Sequence, residues 1–299
     1  MLNLGSLELF VRACDLGSLS KAADQSKLAL AAVSRRIGLL ESHYGVELLV
    51  RTGRGVEPTA AGRALLERAR DILRVVNIAR ADLSDFGKGL RGTVALQAST
   101  SAIAQFLPND LAAFIACCPD IRLDIREAYS SEIVAALREG RADVGVVMAG
   151  PDMVNLSTSP YRRDRLVVVA PQDFAPGVCH VSFMDLIEHD FVVMEDHTAT
   201  TRLLSAMTAD SRSPLRLRVK VGSFDAVCRM VQAGFGLGVL PRNAAENYEA
   251  TLGLRLLELD DPWAERQMLI CTNPMNGISV AARRLVTHLE ASASLSTLN

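Results

Sequence analysis

Hydrophobic residues near the start of the chain recur at helical spacing. From Ala31 onward, Val33, Ile37 and Leu40 occupy positions i, i+4 and i+7, which predicts a helix with one buried face. The opposite face is small and polar, with Arg36 at its flank and these residues at its centre: Ala31, Ser34, Arg35, Gly38 and Ser42. Such a face fits the major groove of DNA, although a helical pair with merely solvated arginines has the same pattern.

A shorter helix precedes this one. Ser20 can cap its start, and Ala22 and Ala23 are small enough to let another helix cross closely. A polar break from Gln25 to Lys27 separates the two helices, and an earlier apolar helix between Leu7 and Cys14 completes a three-helix core. This order is typical of a helix-turn-helix.

Two short apolar runs after Gly45 flank a turn-rich segment, Thr52 to Gly55. The pattern predicts a β-hairpin, or wing, with Arg51 and Arg54 near its tip. A wing that carries arginine beside a polar helix offers two contacts to DNA from one rigid unit. This second feature favours a winged helix-turn-helix over a solvated helical hairpin.

A heptad pattern runs from Thr59 to Phe86. Its apolar residues are spaced alternately by four and three positions, namely Leu65, Ala69, Ile72, Val76, Ala79, Leu83 and Phe86. About 27 helical residues form a rod of ~40 Å. Because charged residues flank this seam, we predict that it packs against a partner helix, with packing on the chain's own body as the alternative.

Three glycines between Gly87 and Gly92 predict a hinge, and strands and helices alternate beyond it. The first unit has predicted strands at 93–98, 122–126 and 144–148, with helices at 102–117 and 132–139. A second unit follows from residue 166 to 240, and a strand at 267–272 with a helix at 280–289 returns to the first. The order predicts parallel strands in two lobes with a cleft between them.

Two hydroxyl-rich turns follow predicted strands, one in each lobe. The first contains Ser99, Thr100 and Ser101, and the second contains His197, Thr198, Ala199 and Thr200. Hydroxyls and free N–H groups at helix starts bind anions, although either turn alone is also explained as a helix cap. Two such turns facing one cleft predict a small carboxylate ligand in preference to a sugar or a cation.

Charge is distributed unevenly along the 299 residues. Residues 1 to 90 hold 13 Lys and Arg against 10 Asp and Glu, whereas residues 91 to 299 hold 19 against 24. The basic excess at the front is small, so attraction to DNA must depend on where the arginines lie and on two copies acting together. No apolar run approaches the ~18 residues of a membrane span, and no cleavable leader is recognisable, so we expect a cytoplasmic protein.

Enzyme, cofactor and metal sites are not predicted. The five histidines and six cysteines show no metal-ligand spacing, and no serine lies in a GxSxG motif. The glycine cluster between Ala233 and Pro241 follows a helix and precedes a strand, which is the reverse of a dinucleotide-binding loop; Gly234 is better explained as a helix C-cap. The cysteines are expected to be reduced and mostly buried, with a thiol switch of Cys179 and Cys228 as the minority alternative.

The first 65 residues resemble the LysR-type transcriptional regulators. The matching positions are Leu9, Phe10, Gly17 to Ser20, Ala22, Ala23, Ala32 to Arg35, Leu40, Glu41, Leu48, Arg51, Thr59 and Gly62. The glycine cluster up to Pro241 also matches this family. Where the family usually has Ser-Gln-Pro or Ser-Gln-Ser before the recognition helix, this chain has Ala29, Leu30 and Ala31. A DNA-contacting Gln is therefore missing, and binding should depend more on the arginines.

The resemblance implies a winged helix-turn-helix at 1–60, a dimerising linker helix at 61–88 and a two-lobed α/β effector domain, like a periplasmic binding protein, at 89–299. Lobe I spans about 92–163 and 267–299, and lobe II about 164–266. The predicted DNA contacts are Ser20, Lys27, Ser34, Arg35, Arg36, Arg51 and Arg54. For the effector, the resemblance implies contacts at both hydroxyl-rich turns and wall residues Ser130, Met148 and Phe224.

The predicted partners are double-stranded operator DNA, a small organic acid, further copies of the chain in a dimer of dimers, and RNA polymerase. Two alternatives stay open. One is a thiol-based redox-sensing regulator. The other is a cytoplasmic metabolite-binding protein without a DNA function, which would have no need of a basic recognition helix.

Overall fold

The structure is a computed structural model that describes residues 3–53, 55–88, 92–150, 153–208 and 215–296. Three helices open the chain: α1 (Leu4–Leu16), α2 (Leu19–Gln25) and α3 (Leu30–Tyr44). The predicted inner face of α3 is buried against α1 and the alanines of α2. The cap of α2 is Ser18, whose hydroxyl accepts the Lys21 N–H at 3.3 Å. The prediction that Ser20 caps this helix is therefore wrong, because Ser20 lies inside it.

The predicted wing is an antiparallel hairpin of β1 (Leu49–Thr52) and β2 (Gly55–Pro58). Hydrogen bonds from backbone N–H groups fix the position of this hairpin. The Glu41 carboxylate accepts the N–H groups of Leu48 and Leu49 at 2.9 and 3.2 Å, and the Val56 N–H donates to the Gly17 carbonyl at 2.9 Å. A Cβ on Gly55 would overlap that same carbonyl oxygen, so this position requires glycine.

The long helix α4 (Ala60–Lys88) has 29 residues and confirms the predicted rod. Thr59 caps it: its hydroxyl accepts the Gly62 N–H at 2.9 Å and donates to the Glu47 carbonyl at 2.7 Å. Gly62 allows α4 to pass the wing, because a Cβ there would overlap the Leu48 carbonyl. The predicted hinge that follows lies partly outside the described residues.

In the described part of the chain, ten strands form one mixed sheet. Its strands are β3 (Gly92–Ala98), β4 (Ile121–Glu127), β5 (Val144–Met148), β6 (Ser157–Pro171), β7 (His180–Val181), β8 (Asp190–Met194), β9 (Arg216–Val221), β10 (Leu237–Pro241), β11 (Leu254–Leu259) and β12 (Glu265–Thr272). The main order is β4-β3-β5-β12-β6-β10-β8-β9, with β11 between β6 and β7. The predicted parallel pairing of the first three strands is confirmed, but β12 joins them antiparallel to β5.

Helices cover both faces of this sheet. They are α5 (Thr100–Gln105), α6 (Leu107–Cys117), α7 (Ser130–Arg138), α8 (Ala199–Thr208), α9 (Phe224–Gln232), α10 (Arg242–Leu252) and α11 (Val280–Ser296). One long helix was expected at 102–117, but the chain leaves helical geometry at Phe106 (φ −125°) and starts again at Leu107 with a proline in the first turn. The elements α10 and β11 were not predicted.

The long strand β6 connects two separate cores. Its first part pairs with β12 and packs through Tyr161 into the core of lobe I, which contains β3, β4 and β5. Its second part, from Leu166, lies between β10 and β11 in the core of lobe II. The strand β12 crosses back in the same way, with a register shift between Gln267 and Leu269. Two crossovers therefore join the lobes, and a cleft lies between them.

Candidate DNA-binding surface and interlobe site

The polar face of α3 lies on the surface, as predicted. Arg35 and Arg36 are exposed and Ser34 is half-buried. The Arg36 guanidinium lies near Gly5 of α1. The start of α3 has no side-chain cap, and the Ala32 N–H donates to the Ala29 carbonyl at 2.9 Å.

The other predicted DNA contacts surround this face at different positions. Ser20 is exposed on α2, and Lys27 is exposed in the turn between α2 and α3, with left-handed backbone at φ 53°. Arg51 is exposed on β1 of the wing, whereas Arg54 lies outside the described residues. A rigid unit thus presents basic and hydroxyl groups from the helix pair and from the wing.

The predicted dimerisation seam on α4 divides into two parts. Leu65 and Ala69 pack into the chain's own core with Leu7 and Phe10 of α1, and Ala69 is fully buried. The prediction that Ala69 contacts a partner helix is therefore wrong. Farther along, Ile72 and Ala79 are exposed and Val76 is half-buried; the side chains of Leu83 and Phe86 lie outside the described part.

A small, partly open cavity of about 30 Å³ lies between the lobes. Eight of the nine predicted effector contacts line it, together with Ala128, Tyr129, Met194 and Ala199; the eight are Ser99, Thr100, Ser101, Ser130, Met148, Thr198, Thr200 and Phe224. The ninth, His197, is exposed and does not line the cavity; its ring contacts that of Tyr129, with centroids 5.8 Å apart. A space of this size holds one or two water molecules.

The turn of lobe I keeps one hydroxyl free of protein partners. Ser99 is 7% exposed, and within the described structure its Oγ has no hydrogen bond. Thr100 Oγ1 donates to Glu127 Oε1 at 2.5 Å. Nearby, Ser130 Oγ accepts the Met148 N–H at 3.3 Å and so connects α7 to the end of β5. A buried hydroxyl without a partner needs an explanation, such as a water or a ligand.

The turn of lobe II is bonded internally. Thr198 Oγ1 accepts the Thr201 N–H at 3.3 Å and donates to Thr201 Oγ1 at 2.9 Å, so Thr198 caps α8. Thr200 Oγ1 accepts from Arg266 Nη1 at 2.9 Å. Because this oxygen receives a hydrogen bond, the proton of the Thr200 hydroxyl remains available to another acceptor.

A buried ion pair that the sequence did not reveal lies behind the cavity. Arg266 on β12 and Asp164 on β6 form two hydrogen bonds, Nε to Oδ1 at 2.8 Å and Nη2 to Oδ2 at 2.5 Å. Gln105 Nε2 of α5 also donates to Asp164 Oδ2, at 3.0 Å. This network connects α5 of lobe I to the start of α8 in lobe II through both crossover strands. Neither Asp164 nor Arg266 belongs to a sequence motif, so no local signal indicated this pairing.

A second contact joins the lobes at the mouth of the cleft. The Tyr129 hydroxyl of lobe I donates to Glu195 Oε2 of lobe II at 2.5 Å. This bond and the nearby carboxylates raise the pKa of Tyr129 to about 12, so the phenol stays protonated. Sequence patterns missed both residues because each follows a strand without a distinctive motif.

The thiols do not form a reactive pair. Cys228 and Cys271 are buried, and burial raises the pKa of each to about 12, which suppresses the thiolate. Cys117 and Cys179 are exposed, so the expectation of mostly buried thiols holds for only two of the six. Across the described ranges there is no group of residues suited to a metal ion, and no helix there is long and apolar enough to span a membrane.

A winged helix-turn-helix followed by a long helix and a two-lobed domain with a cleft defines the class of ligand-responsive DNA-binding regulators. Residues 4–63 match the family model "Bacterial regulatory helix-turn-helix protein, lysR family", and residues 87–294 match "LysR substrate binding domain". The chain belongs to the LysR family. It is a LysR-type DNA-binding transcriptional regulator with an effector-binding domain, and this family consists of regulators rather than enzymes.

Known proteins agree with this assignment. The probable transcriptional regulator LrrA of Synechococcus elongatus is 30% identical over 245 residues, 82% of this chain and 82% of that protein. The fold is similar to that of a full-length OxyR variant from Pseudomonas aeruginosa, with a TM-score of 0.75 and 19% identity over 99% of this chain and 95% of that one. Full-length CbnR with its target DNA has a TM-score of 0.68 and 19% identity over 98% and 100%.

Proposed function

We propose that this regulator binds its operator through α3 and the wing and that a small carboxylate in the interlobe cleft controls its effect on the promoter. The observation that carries the proposal is a cavity in which hydroxyl-bearing residues of both lobes meet, on the same chain as an exposed basic recognition helix. The cavity is too small for an organic acid, so binding of the ligand requires the lobes to separate, and that movement supplies the signal.

For DNA, we assign base contact to Arg35, because its side chain is exposed while the Arg36 guanidinium lies against α1. Ser20, Lys27, Arg36, Arg51 and Arg54 are proposed to contact the phosphate backbone around it. Arg35→Ala should weaken binding to an operator fragment by about 1–3 kcal/mol and binding to random DNA much less. Arg229→Ala, an exposed arginine on α9, is the control. Equal losses on both DNAs would reduce Arg35 to a phosphate contact.

For the effector, the proposed carboxylate accepts from the Ser99 and Thr200 hydroxyls and from the first N–H groups of α8, with Met148 and Phe224 as apolar wall. A hydrogen bond to a charged group contributes about 1.5–3 kcal/mol. Ser99→Ala should therefore weaken ligand binding about tenfold or more, measured by calorimetry, and leave ligand-free operator binding unchanged. Unchanged ligand affinity would place the ligand elsewhere.

For assembly, we propose that the exposed part of α4 dimerises, because Ile72 and Val75 leave 38% and 59% of their surface exposed. Ile72→Glu should then shift the protein to monomers in light scattering and abolish operator binding, since a buried unpaired charge costs several kcal/mol. A dimer that survives this change would place the interface elsewhere. The same proposal includes the domain limits 1–60, 61–88 and 89–299. It also includes a dimer of dimers, contact with RNA polymerase and a cytoplasmic location.

A further inference from the structure

The walls of the interlobe cavity are backed by carboxylates. Glu127 is the last residue of β4 in lobe I and accepts from Thr100; Glu195 follows β8 in lobe II and accepts from Tyr129. Thr100 and Tyr129 line the cavity, so each carboxylate is hydrogen-bonded to a residue of the cavity wall. Glu127 and Glu195 are themselves exposed at the mouth of the cleft.

The described residues of the cavity wall do not balance this negative charge. Among the described residues that line the cavity there is neither Lys nor Arg. Arg266, behind Thr200, is already paired with Asp164. Glu195, Glu132 and Glu127 all act on the Tyr129 hydroxyl, so their charges converge at the mouth. A bare carboxylate ligand would therefore be repelled there, by an energy that grows as the cleft closes and water leaves.

The inner end of the cavity favours a negatively charged group. The Ser99 hydroxyl is buried without a partner in the described structure, and the Thr200 hydroxyl, which accepts from Arg266, can still donate. Thr100 follows Ser99 directly and donates to Glu127. The Ser99 hydroxyl, which can donate to an anion, therefore lies close to the Glu127 carboxylate, which can accept from a cation. A ligand that satisfies both ends must carry its positive and negative groups close together.

We infer that the effector is an α-amino acid or a similar zwitterion, with its carboxylate at Ser99 and Thr200 and its ammonium between Glu127 and Glu195. The inference rests on the proposed function, because it names the chemical class of the proposed carboxylate. On binding, the ammonium replaces the Tyr129 hydroxyl as the donor to Glu195, and the contact between the lobes is exchanged for one through the ligand.

The test uses the full-length protein and three matched sets of probes: the common L-amino acids, the same acids without the amino group, and the same amines without the carboxylate. Thermal shifts identify binders, and calorimetry measures their affinity. We expect stabilisation by one or a few amino acids and by none of their matched acids or amines. Glu127→Gln and Glu195→Gln should each weaken that amino acid about tenfold or more, because a charge-assisted bond is lost.

The same substitutions should leave the matched carboxylate unaffected or improve it, which a merely structural role would not do. Glu249→Gln, an exposed residue of α10 beyond the far end of β6, is the matched control and should leave both affinities unchanged. Ligand-free melting temperature and operator binding show that each variant is folded.

The outcomes separate the two proposals. If acids without an amino group stabilise the wild type as well as the amino acids do, and the Gln variants bind them equally, the zwitterion is excluded while the carboxylate effector stands. If an amino acid binds but Ser99→Ala, Glu127→Gln and Glu195→Gln all leave its affinity unchanged, it binds elsewhere and the inference is wrong. If no probe of any set binds, both the inference and the carboxylate effector fail.

Discussion

The turn from Ser99 to Ser101 in lobe I and the turn from Thr198 to Thr200 in lobe II line the same cavity, but their hydroxyl groups make different bonds. In lobe II, Thr198 caps α8 and Thr200 is held by Arg266. In lobe I, the cap position of α5 makes no side-chain hydrogen bond, and Ser99 keeps its hydroxyl unpaired within the described structure. Similar sequences thus produce one turn whose cap residue is bonded, Thr198, and one whose cap residue, Ser99, still has bonding capacity.

This difference assigns separate tasks to the two lobes. The lobe II turn is held in place by the buried Arg266 and Asp164 pair, so its donors are oriented before any ligand arrives. In the lobe I turn, Thr100 is bonded to Glu127, but the Ser99 hydroxyl can form a hydrogen bond only when a water or a ligand enters the cavity. Under the proposed function, the ligand supplies the missing partner of Ser99 when the lobes close onto it. Substitutions that act on one turn and spare the other test this division.

The largest effect is expected at the ion pair that holds the lobe II turn. Asp164→Ala leaves the Arg266 charge buried without a partner, which should lower the free energy of unfolding by about 3–5 kcal/mol. Urea denaturation of the full-length protein measures this change. Glu265→Ala is the control, because Glu265 and Arg163 form an exposed pair at 3.3 Å on the same two strands and should contribute at most about 1 kcal/mol. Equal losses in the two variants would show that the buried pair does not hold the lobes.

A smaller effect is expected at the cap of α8. Thr198→Ala removes the acceptor for the Thr201 N–H, and loss of a cap costs about 1 kcal/mol, within a range of 0.5–2. The urea midpoint of the full-length protein reports it. Thr198→Ser keeps the hydroxyl and should retain most of the stability. If both variants lose the same amount, the methyl group rather than the cap stabilises this turn.

The smallest effect is expected at the corresponding position of lobe I. Without ligand, Ser99→Ala should change the free energy of unfolding by less than about 0.5 kcal/mol, or increase it, because the buried hydroxyl has no protein partner to lose. The same urea experiment compares it with Thr198→Ala. A loss as large as that of Thr198→Ala would show that Ser99 is bonded in the free protein, and the contrast between the turns would disappear.

Much of the fold follows from patterns that extend over a few residues. The spacing of Val33, Ile37 and Leu40 predicted the buried face of α3, the heptads predicted α4, and the turn after Arg51 predicted the wing. Alternating strands and helices predicted two lobes, and the hydroxyl-rich turns were placed at one cleft. These features are visible in sequence because helical and strand periodicities repeat within one element.

Other features depended on which distant segments meet. Ala69 belongs to the heptad seam, yet it is buried against α1, because the same face of α4 must first cover its own domain. Which hydroxyl of the two turns is bonded was decided by neighbours from other elements. Arg266 and Asp164 are 102 positions apart and come together only because β6 and β12 pair at the crossover between the lobes. The sequence alone determined the elements and their order, whereas the tertiary structure decided the charges and hydrogen bonds of the cleft, since these depend on long-range strand pairing that no local pattern encodes.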